Sequence, residues 1–315
     1  MTRVGTASET EWKELFDDVV LGLTRRPKSI PGKYLWDETG SVLFDRICGG
    51  KAYYPARCET ALLEHHACEI AELVGPGVTL VELGSGASRK SRILLDRLRD
   101  PRSYVAIDIS ACYLAAVTAR LASDYPAIDI IPVVADYTKP LRLPAMSDAQ
   151  TTLGFFPGST IGNFGPQEAT AFLERIREAL GSSWLLLGVD RNQERARLSR
   201  AYADKAGLMA ALHRNVLTRL SRELDSNVDP GNFLHEARIF DDPPRVEAHL
   251  VAQHAADYRI GTHVVSFARG ESILTDRSYK YSPNRFRELA VAAGWEPVQC
   301  WLDPDGLFNL HLLRV

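Results

Sequence analysis

Apolar residues recur at helical spacing over residues 11–24, where Trp12, Leu15, Phe16, Val19, Val20 and Leu23 line one face, until Pro27 and Pro31-Gly32 break the pattern. Residues 58–74 form a second amphipathic stretch. From residue 78 the period alternates. Short apolar runs at 78–81, 104–107, 128–134, 153–156 and 184–188 read as buried parallel strands, and the segments 89–99, 111–123 and 166–180 between them carry helical spacing. Such alternation predicts a parallel, doubly wound sheet.

After Asp190 the character changes. Helical patterns over 195–203 and 208–224 give way to hairpin-like, β-rich segments at 238–240, 246–254 and 263–268. The chain then returns to a helix over 283–293, capped by Gly294, and to two strands, 296–302 and 307–314, around Asp303-Pro304-Asp305-Gly306. The expected architecture is α/β: a Rossmann-like core from 58–198 with 282–315, closed by an antiparallel hairpin, and a second, substrate-binding α+β domain from 1–57 with 199–281. No internal repeat or low-complexity tract is visible.

Composition narrows the class. A chain of 315 residues, 45% hydrophobic and 24% charged, can bury a large core, and a net charge of −3 without any basic run argues against nucleic acid or an anionic membrane as partner. A small neutral or zwitterionic substrate fits better, and the oligomeric state stays open. The five cysteines lack close pairs and read as reduced thiols, and the eight histidines have no metal-ligand spacing, so no metal is expected. No apolar run is long enough to span a membrane and the N-terminal stretch lacks a signal-peptide block, which points to a cytoplasmic enzyme.

The candidate chemistry gathers at strand ends. Val78-Thr79-Leu80-Val81 runs into Glu82-Leu83-Gly84-Ser85-Gly86-Ala87-Ser88, where Gly84 and Gly86 permit positive φ and close approach of a ligand ahead of a helix N-terminus. The spacing is not G-x-G-x-x-G. Asp108 ends the next strand, where a doubly wound fold places an acid on ribose hydroxyls, and Asp136-Tyr137 ends the third, offering a carboxylate for an adenine amino group beside a ring face. A glycine turn, an acid, and an acid beside an aromatic favour S-adenosylmethionine over a nicotinamide cofactor. Elsewhere, Tyr53-Tyr54-Pro55-Ala56-Arg57 is rich in polar aromatics, Phe155 to Phe164 delivers Asn163 at a strand end, and alternation puts Asp276 and Ser278 on one face of an extended segment. No Ser-His-Asp order or paired-carboxylate cluster suggests a hydrolase.

Together these residues resemble the histidine-specific S-adenosylmethionine-dependent methyltransferases, a family that includes the ergothioneine-pathway histidine Nα-methyltransferases. The resemblance spans nearly the whole chain. It is carried by Lys28-Ser29-Ile30-Pro31, Gly40-Ser41-Val42-Leu43-Phe44-Asp45, Tyr53-Tyr54-Pro55, Val81 to Ser88, Gly158 to Asn163, His213-Arg214-Asn215-Val216-Leu217 with Arg222-Glu223-Leu224, and Leu274 to Lys280. It implies a class I methyltransferase fold, with Gly84, Lys90, Asp108, Asp136 and Tyr137 on the cofactor beside Gly86 of the glycine turn. It implies further that Asn163 and Tyr202 bind an amino-acid carboxylate, that Tyr53 lines the substrate site near the amine and serves as the catalytic residue, and that Asp276 and Ser278 grip an imidazole.

The chain departs from that pattern at three positions. Asp276 stands where the family's histidine enzyme has Glu, drawing the carboxylate back. Trp36 replaces a Tyr close to the reacting amine, and Ala248 replaces a bulkier Met. The expected reaction is in-line methyl transfer to a nitrogen of a free amino acid, L-histidine. The nucleophile is the α-amine or an imidazole nitrogen, the ring being preferred because a hydroxyl is lost at Trp36 and a neutral imidazole needs no deprotonation. The alternative is N-methylation of another aromatic amino acid or amine, tryptophan-like, in secondary metabolism.

Overall fold

A computed structural model describes residues 9–144 and 151–315. In chain order the elements are α1 (Glu9–Thr24), β1 (Lys28–Ser29), α2 (Glu38–Gly49), α3 (Tyr54–Val74), β2 (Val78–Leu83), α4 (Arg89–Leu95), β3 (Ser103–Asp108), α5 (Ala111–Asp124), β4 (Asp129–Val134), β5 (Thr151–Phe156), α6 (Pro166–Leu180), β6 (Trp184–Asp190), α7 (Arg195–Tyr202), α8 (Leu208–Glu223), β7 (Phe233–Asp241), β8 (Pro244–Ala252), β9 (Ala256–Ile260), β10 (His263–Phe267), β11 (Ser272–Tyr279), α9 (Pro283–Ala292), β12 (Glu296–Leu302) and β13 (Phe308–Arg314). Short 3₁₀ turns cover Gly32–Leu35, Thr160–Asn163 and Pro230–Asn232. The elements gather into two compact units: one takes the chain up to Ala52 and Arg195–Arg277, the other Tyr53–Glu194 and Ser278–Val315.

The larger unit holds a seven-stranded sheet in the order β12-β13-β6-β5-β2-β3-β4. Strands β2 to β6 are parallel, and β13 runs antiparallel between β6 and β12, forming the closing hairpin. Alternation along each strand feeds two cores. Leu80, Tyr104, Leu153 and Phe155 pack with Leu63 and Ile70 of α3, Leu94 of α4 and Leu114 of α5. Val81, Val105, Phe156 and Leu187 pack with Phe172 and Ile176 of α6 and Phe286 of α9 on the other face. Burial on both faces is why the central strands read as continuous apolar runs. Strand order reverses between β2 and β5, so Leu83 and Phe156 end at the switch point where such sheets bind ligands.

Local signals set several boundaries. Pro166 opens α6, Glu168 accepts the Gly165 N–H at 2.8 Å, and Gly294 follows α9 at φ +82. Helix α4 stops at Leu95, short of the expected residue 99, because Arg97 and Leu98 both turn their N–H groups back onto the Leu94 carbonyl. Strand β7 extends well beyond 238–240, pairing from Phe233↔Ala252 to Asp241↔Pro244; its polar residues hid it from an apolar pattern. Helix α2 was not expected. Only Gly40 and Ile47 of it are buried, so its periodicity is faint.

The smaller unit is α+β. A four-stranded sheet in the order β1-β11-β8-β7 joins parallel β1 to β11 and antiparallel β7 to β8, and β9 and β10 form a separate hairpin. Among the described residues no helix is long and apolar enough to cross a membrane.

Candidate active site

At the end of β2 the chain turns through Gly84 at φ +75 and Gly86 at φ +48, a region of backbone space that glycine enters without strain. The N–H groups of Gly84 and Ser85 both bond the Ile107 carbonyl, at 2.8 and 3.0 Å, tying this turn to the end of β3. Asp108 follows. Its Oδ2 accepts the Gly86 N–H at 2.9 Å and its Oδ1 accepts the Ser110 N–H at 2.9 Å, which fixes the carboxylate plane while leaving lone pairs for hydroxyl donors. A Cβ on Gly84 would stand 3.3 Å from Cε1 of Tyr137, so Gly84 and Tyr137 are neighbours, and the Tyr137 ring sits edge-on to Phe156. Asp136, one residue earlier, accepts from the Thr138 N–H at 2.9 Å.

Glu82, the acid of the glycine motif, turns inward. Fully buried, its carboxyl meets Ser91 and Tyr104, and desolvation lifts it to a pKa of about 8 despite those donors. It braces β2 against β3 and α4.

Lys90, in the first turn of α4, pairs with the wholly buried Glu59 of α3. Glu59 also accepts the Gly158 N–H, at 2.8 and 3.0 Å. Next to Gly158, Ser159 sits at φ +57 and its Oγ accepts the Asp190 N–H at 2.9 Å. The turn that carries Asn163 is therefore pinned to α3 on one side and β6 on the other. Further along it, a Cβ on Gly162 would meet the Tyr279 carbonyl at 2.7 Å and Ser278 Oγ at 3.5 Å, so the Asn163 turn lies close against Ser278. Tyr53 caps the start of α3 and is buried.

In the smaller unit, Trp36 ends the 3₁₀ turn Gly32–Leu35 and packs edge-on to Phe44 at 5.2 Å. Its neighbour Asp37 caps α2, accepting from Gly40 N at 2.7 Å, Asn215 Nδ2 at 2.7 Å and Arg222 at 2.8 Å. Burial would raise that carboxyl, but the Arg222 guanidinium and these hydrogen bonds hold it below the usual range. Asp276 lies in β11, its Oδ1 accepting the Arg277 N–H at 2.9 Å; a Cβ on Gly32 would come within 3.2 Å of the same oxygen. Thr275 beside it bonds His213 Nδ1 at 2.9 Å and the Ala248 carbonyl at 3.1 Å. His213 stacks on His235 at 4.9 Å, and desolvation drives both rings down, to about 3 and about 4, so both are neutral packing residues. Tyr202 is the last residue of α7.

Within the larger unit, Gly84, Gly86, Asp108 and Tyr137 thus come together, and Gly162 of the Asn163 turn lies against Ser278; within the smaller unit Gly32 of the turn before Trp36 approaches Asp276. Sequence reasoning passed over Glu59, Asp37, Asp190 and Lys280. Asp190 lies two residues beyond the predicted strand 184–188, which the structure extends to it, and Lys280 ends a quoted motif, which were the available signals.

The turn at β2 also fits a nucleoside cofactor. A Cβ on Gly86 would meet nothing within 4 Å, and the buried Ser85 Oγ has no hydrogen-bond partner among the described residues. A doubly wound sheet with an antiparallel strand inserted near one edge, a glycine turn after its first strand and acids at the next two strand ends define an S-adenosylmethionine-dependent class I methyltransferase.

More narrowly, the chain belongs to the histidine-specific, S-adenosylmethionine-dependent methyltransferase family, whose profile matches residues 15–315. A histidine N-alpha-methyltransferase of Mycolicibacterium smegmatis is 39% identical over 97% of this chain and 96% of its own length. A histidine N-alpha-methyltransferase of Mycobacterium tuberculosis is 38% identical over 94% of this chain and 93% of its own. An N-methyltransferase of Aspergillus flavus, imqF, is 26% identical over 96% of this chain and 85% of its own. The protein is an S-adenosylmethionine-dependent N-methyltransferase, as the resemblance implied.

Proposed function

We propose that the protein methylates the α-amine of free L-histidine. The observation that carries this reading is the pairing of Asp276 with Ser278 at alternate positions of β11, a carboxylate and a hydroxyl that match the N–H and the lone pair of an imidazole. The two mycobacterial relatives, named for that reaction, support it. S-adenosylmethionine supplies an electrophilic sulfonium methyl and leaves as S-adenosylhomocysteine. Gly84, Gly86 and Lys90 hold its amino-acid end, Asp108 takes the ribose hydroxyls, and Asp136 and Tyr137 take the adenine. Asn163 and Tyr202 donate to the substrate carboxylate without a buried cation. Tyr53 stands near the amine, which attacks in line with the departing sulfur once its proton has passed through Tyr53 or water to solvent. Holding nitrogen and methyl carbon at near-attack distance lowers the barrier by ~7 kcal/mol or more.

A second reading rests on Trp36. An indole there in place of a phenol removes a hydroxyl that would help deprotonate an ammonium, and an imidazole nitrogen needs no such help. The deciding experiment incubates the enzyme with S-adenosylmethionine and each free amino acid, measures S-adenosylhomocysteine, and locates the methyl by NMR. Turnover of histidine with methyl groups on the α-nitrogen is expected. A ring-methylated product would select the second reading, and turnover of tryptophan or another aromatic amine alone would replace histidine as substrate.

A further inference from the structure

One buried carboxylate in the larger unit serves two elements that carry candidate ligand residues. Lys90 of α4 pairs with Oε2 of Glu59, and the Gly158 N–H, at the start of the turn leading to Asn163, bonds Oε2 at 2.8 Å and Oε1 at 3.0 Å. Oε1 fills the space that Gly188 of β6 leaves open, where a Cβ would stand 2.0 Å from it. A Cβ on Gly158 would stand 3.9 Å from Lys90 Nζ, so the lysine and the turn are neighbours at the same acid. Exposure separates the two charges: 19% for the Lys90 side chain and 0% for that of Glu59. A ligand can therefore reach the ammonium, which has three donors, but not the carboxylate. A buried pair gains little net stability over an apolar pair of the same volume, so stability alone is a weak reason for an ionised acid here.

We propose that Glu59 is a positioning residue shared by the two ligands: one carboxylate holds Lys90 for the amino-acid end of the cofactor and the Gly158 turn for the amino-acid substrate, so that each ligand strengthens binding of the other. This inference rests on the reading above, in which Lys90 meets the cofactor and Asn163 the substrate carboxylate, and deepens it. A cofactor carboxylate on Lys90 draws the ammonium's charge away from Glu59, and a carboxylate less neutralised by its lysine accepts more strongly from the Gly158 N–H. The turn that carries Asn163 is then held more firmly. By linkage the substrate tightens the cofactor by the same factor. Glu59 touches neither ligand in this scheme.

The test measures histidine binding by calorimetry in three states: without nucleoside, with saturating S-adenosylhomocysteine, and with saturating methylthioadenosine, which keeps the nucleoside but lacks the amino-acid end. In the native enzyme S-adenosylhomocysteine is expected to raise histidine affinity by about fivefold or more, and methylthioadenosine by less than about twofold. In Glu59→Gln the amide still accepts from Gly158 but carries no charge for Lys90 to offset, so the S-adenosylhomocysteine effect should fall below about twofold while both ligands still bind. A merely structural acid would weaken one or both ligands and leave the native ratio intact, which overturns the proposal. So does a native enzyme in which the two nucleosides act alike. Should Glu59→Gln fail to fold, Glu59→Gln/Lys90→Met removes both charges together, and a retained ratio there is equally fatal. A native enzyme that binds no histidine in any of the three states overturns the histidine reading, and this inference with it; one that binds histidine with the same ratio in native and variant overturns this inference alone.

Discussion

The strand ends of the larger unit and the Trp36 turn of the smaller one hold their candidate residues by different means. At the strand ends carboxylates grip backbone: Asp108 takes the N–H of Gly86 and Ser110, and Glu59 takes that of Gly158. Around Trp36 the anchors are side chains of α8, with Asn215 and Arg222 reaching the Asp37 carboxylate and Arg219 reaching the Tyr34 carbonyl. Backbone anchors do not depend on neighbouring side chains, so a cofactor site built on them survives substitution around it. A loop held by side chains can be re-aimed by one exchange. That contrast matches the expectation from the sequence, in which the glycine turn and acids follow the family's pattern while Trp36 and Asp276 depart from it.

Substitutions in each region should expose the contrast. The largest effect is expected for Asp108→Ala, which removes the proposed ribose acceptor and orphans two backbone donors: S-adenosylhomocysteine affinity by calorimetry should fall about 100-fold or more, and a smaller change would move the cofactor elsewhere. Glu59→Gln leaves Lys90 without its carboxylate and weakens the grip on Gly158. It should cost about 2 kcal/mol in denaturant unfolding, less than a fully buried pair because Lys90 is partly exposed.

Glu82 gives a pH signature. Folded, it keeps its proton up to about pH 8, while its ordinary value is 4.5, so the folded state binds more protons across that interval. Its contribution is full below 4.5 and is lost as pH rises through 8. Glu82→Gln, neutral throughout, should make the decline of stability between pH 5 and 8 shallower by about 1 kcal/mol per pH unit; an unchanged slope would mean that the carboxyl ionises normally. The smallest effect is expected for Asp37→Ala, about 1 kcal/mol near neutral pH, since Arg222 is half exposed. Asp37 has a depressed pKa, so its contribution is present above its ordinary 3.8 and is lost as pH falls through the folded value. Wild type and variant should therefore converge in acid, and the variant should raise the substrate KM while sparing cofactor affinity.

The parts of the site legible in the sequence are those written in adjacent residues. Gly84-Ser85-Gly86, Asp108 and Asp136-Tyr137 each announce themselves because a strand, its turn and the acid at its end are contiguous, and the alternation of apolar runs orders them along one sheet edge. Asp276 and Ser278 are legible for the same reason, through the two-residue period of a strand. Glu59 carried no such mark. Glu59 sits within an amphipathic helix like any surface acid, and only the fold buries it beside Gly158, 99 residues on.

The sequence by itself determined the βα rhythm, the glycine turn, the acids at strand ends and the family to which the chain belongs, because each depends on spacing along the chain. Tertiary structure alone decided that Glu82 faces inward and protonated rather than toward a ligand, that Asp37 is clamped from α8, and that Lys280 pairs with Asp190, 90 residues away, with its ammonium on Ser278. Burial and partnership over such distances are properties of packing. No local pattern encodes which carboxylate will lose its water or which lysine will reach it.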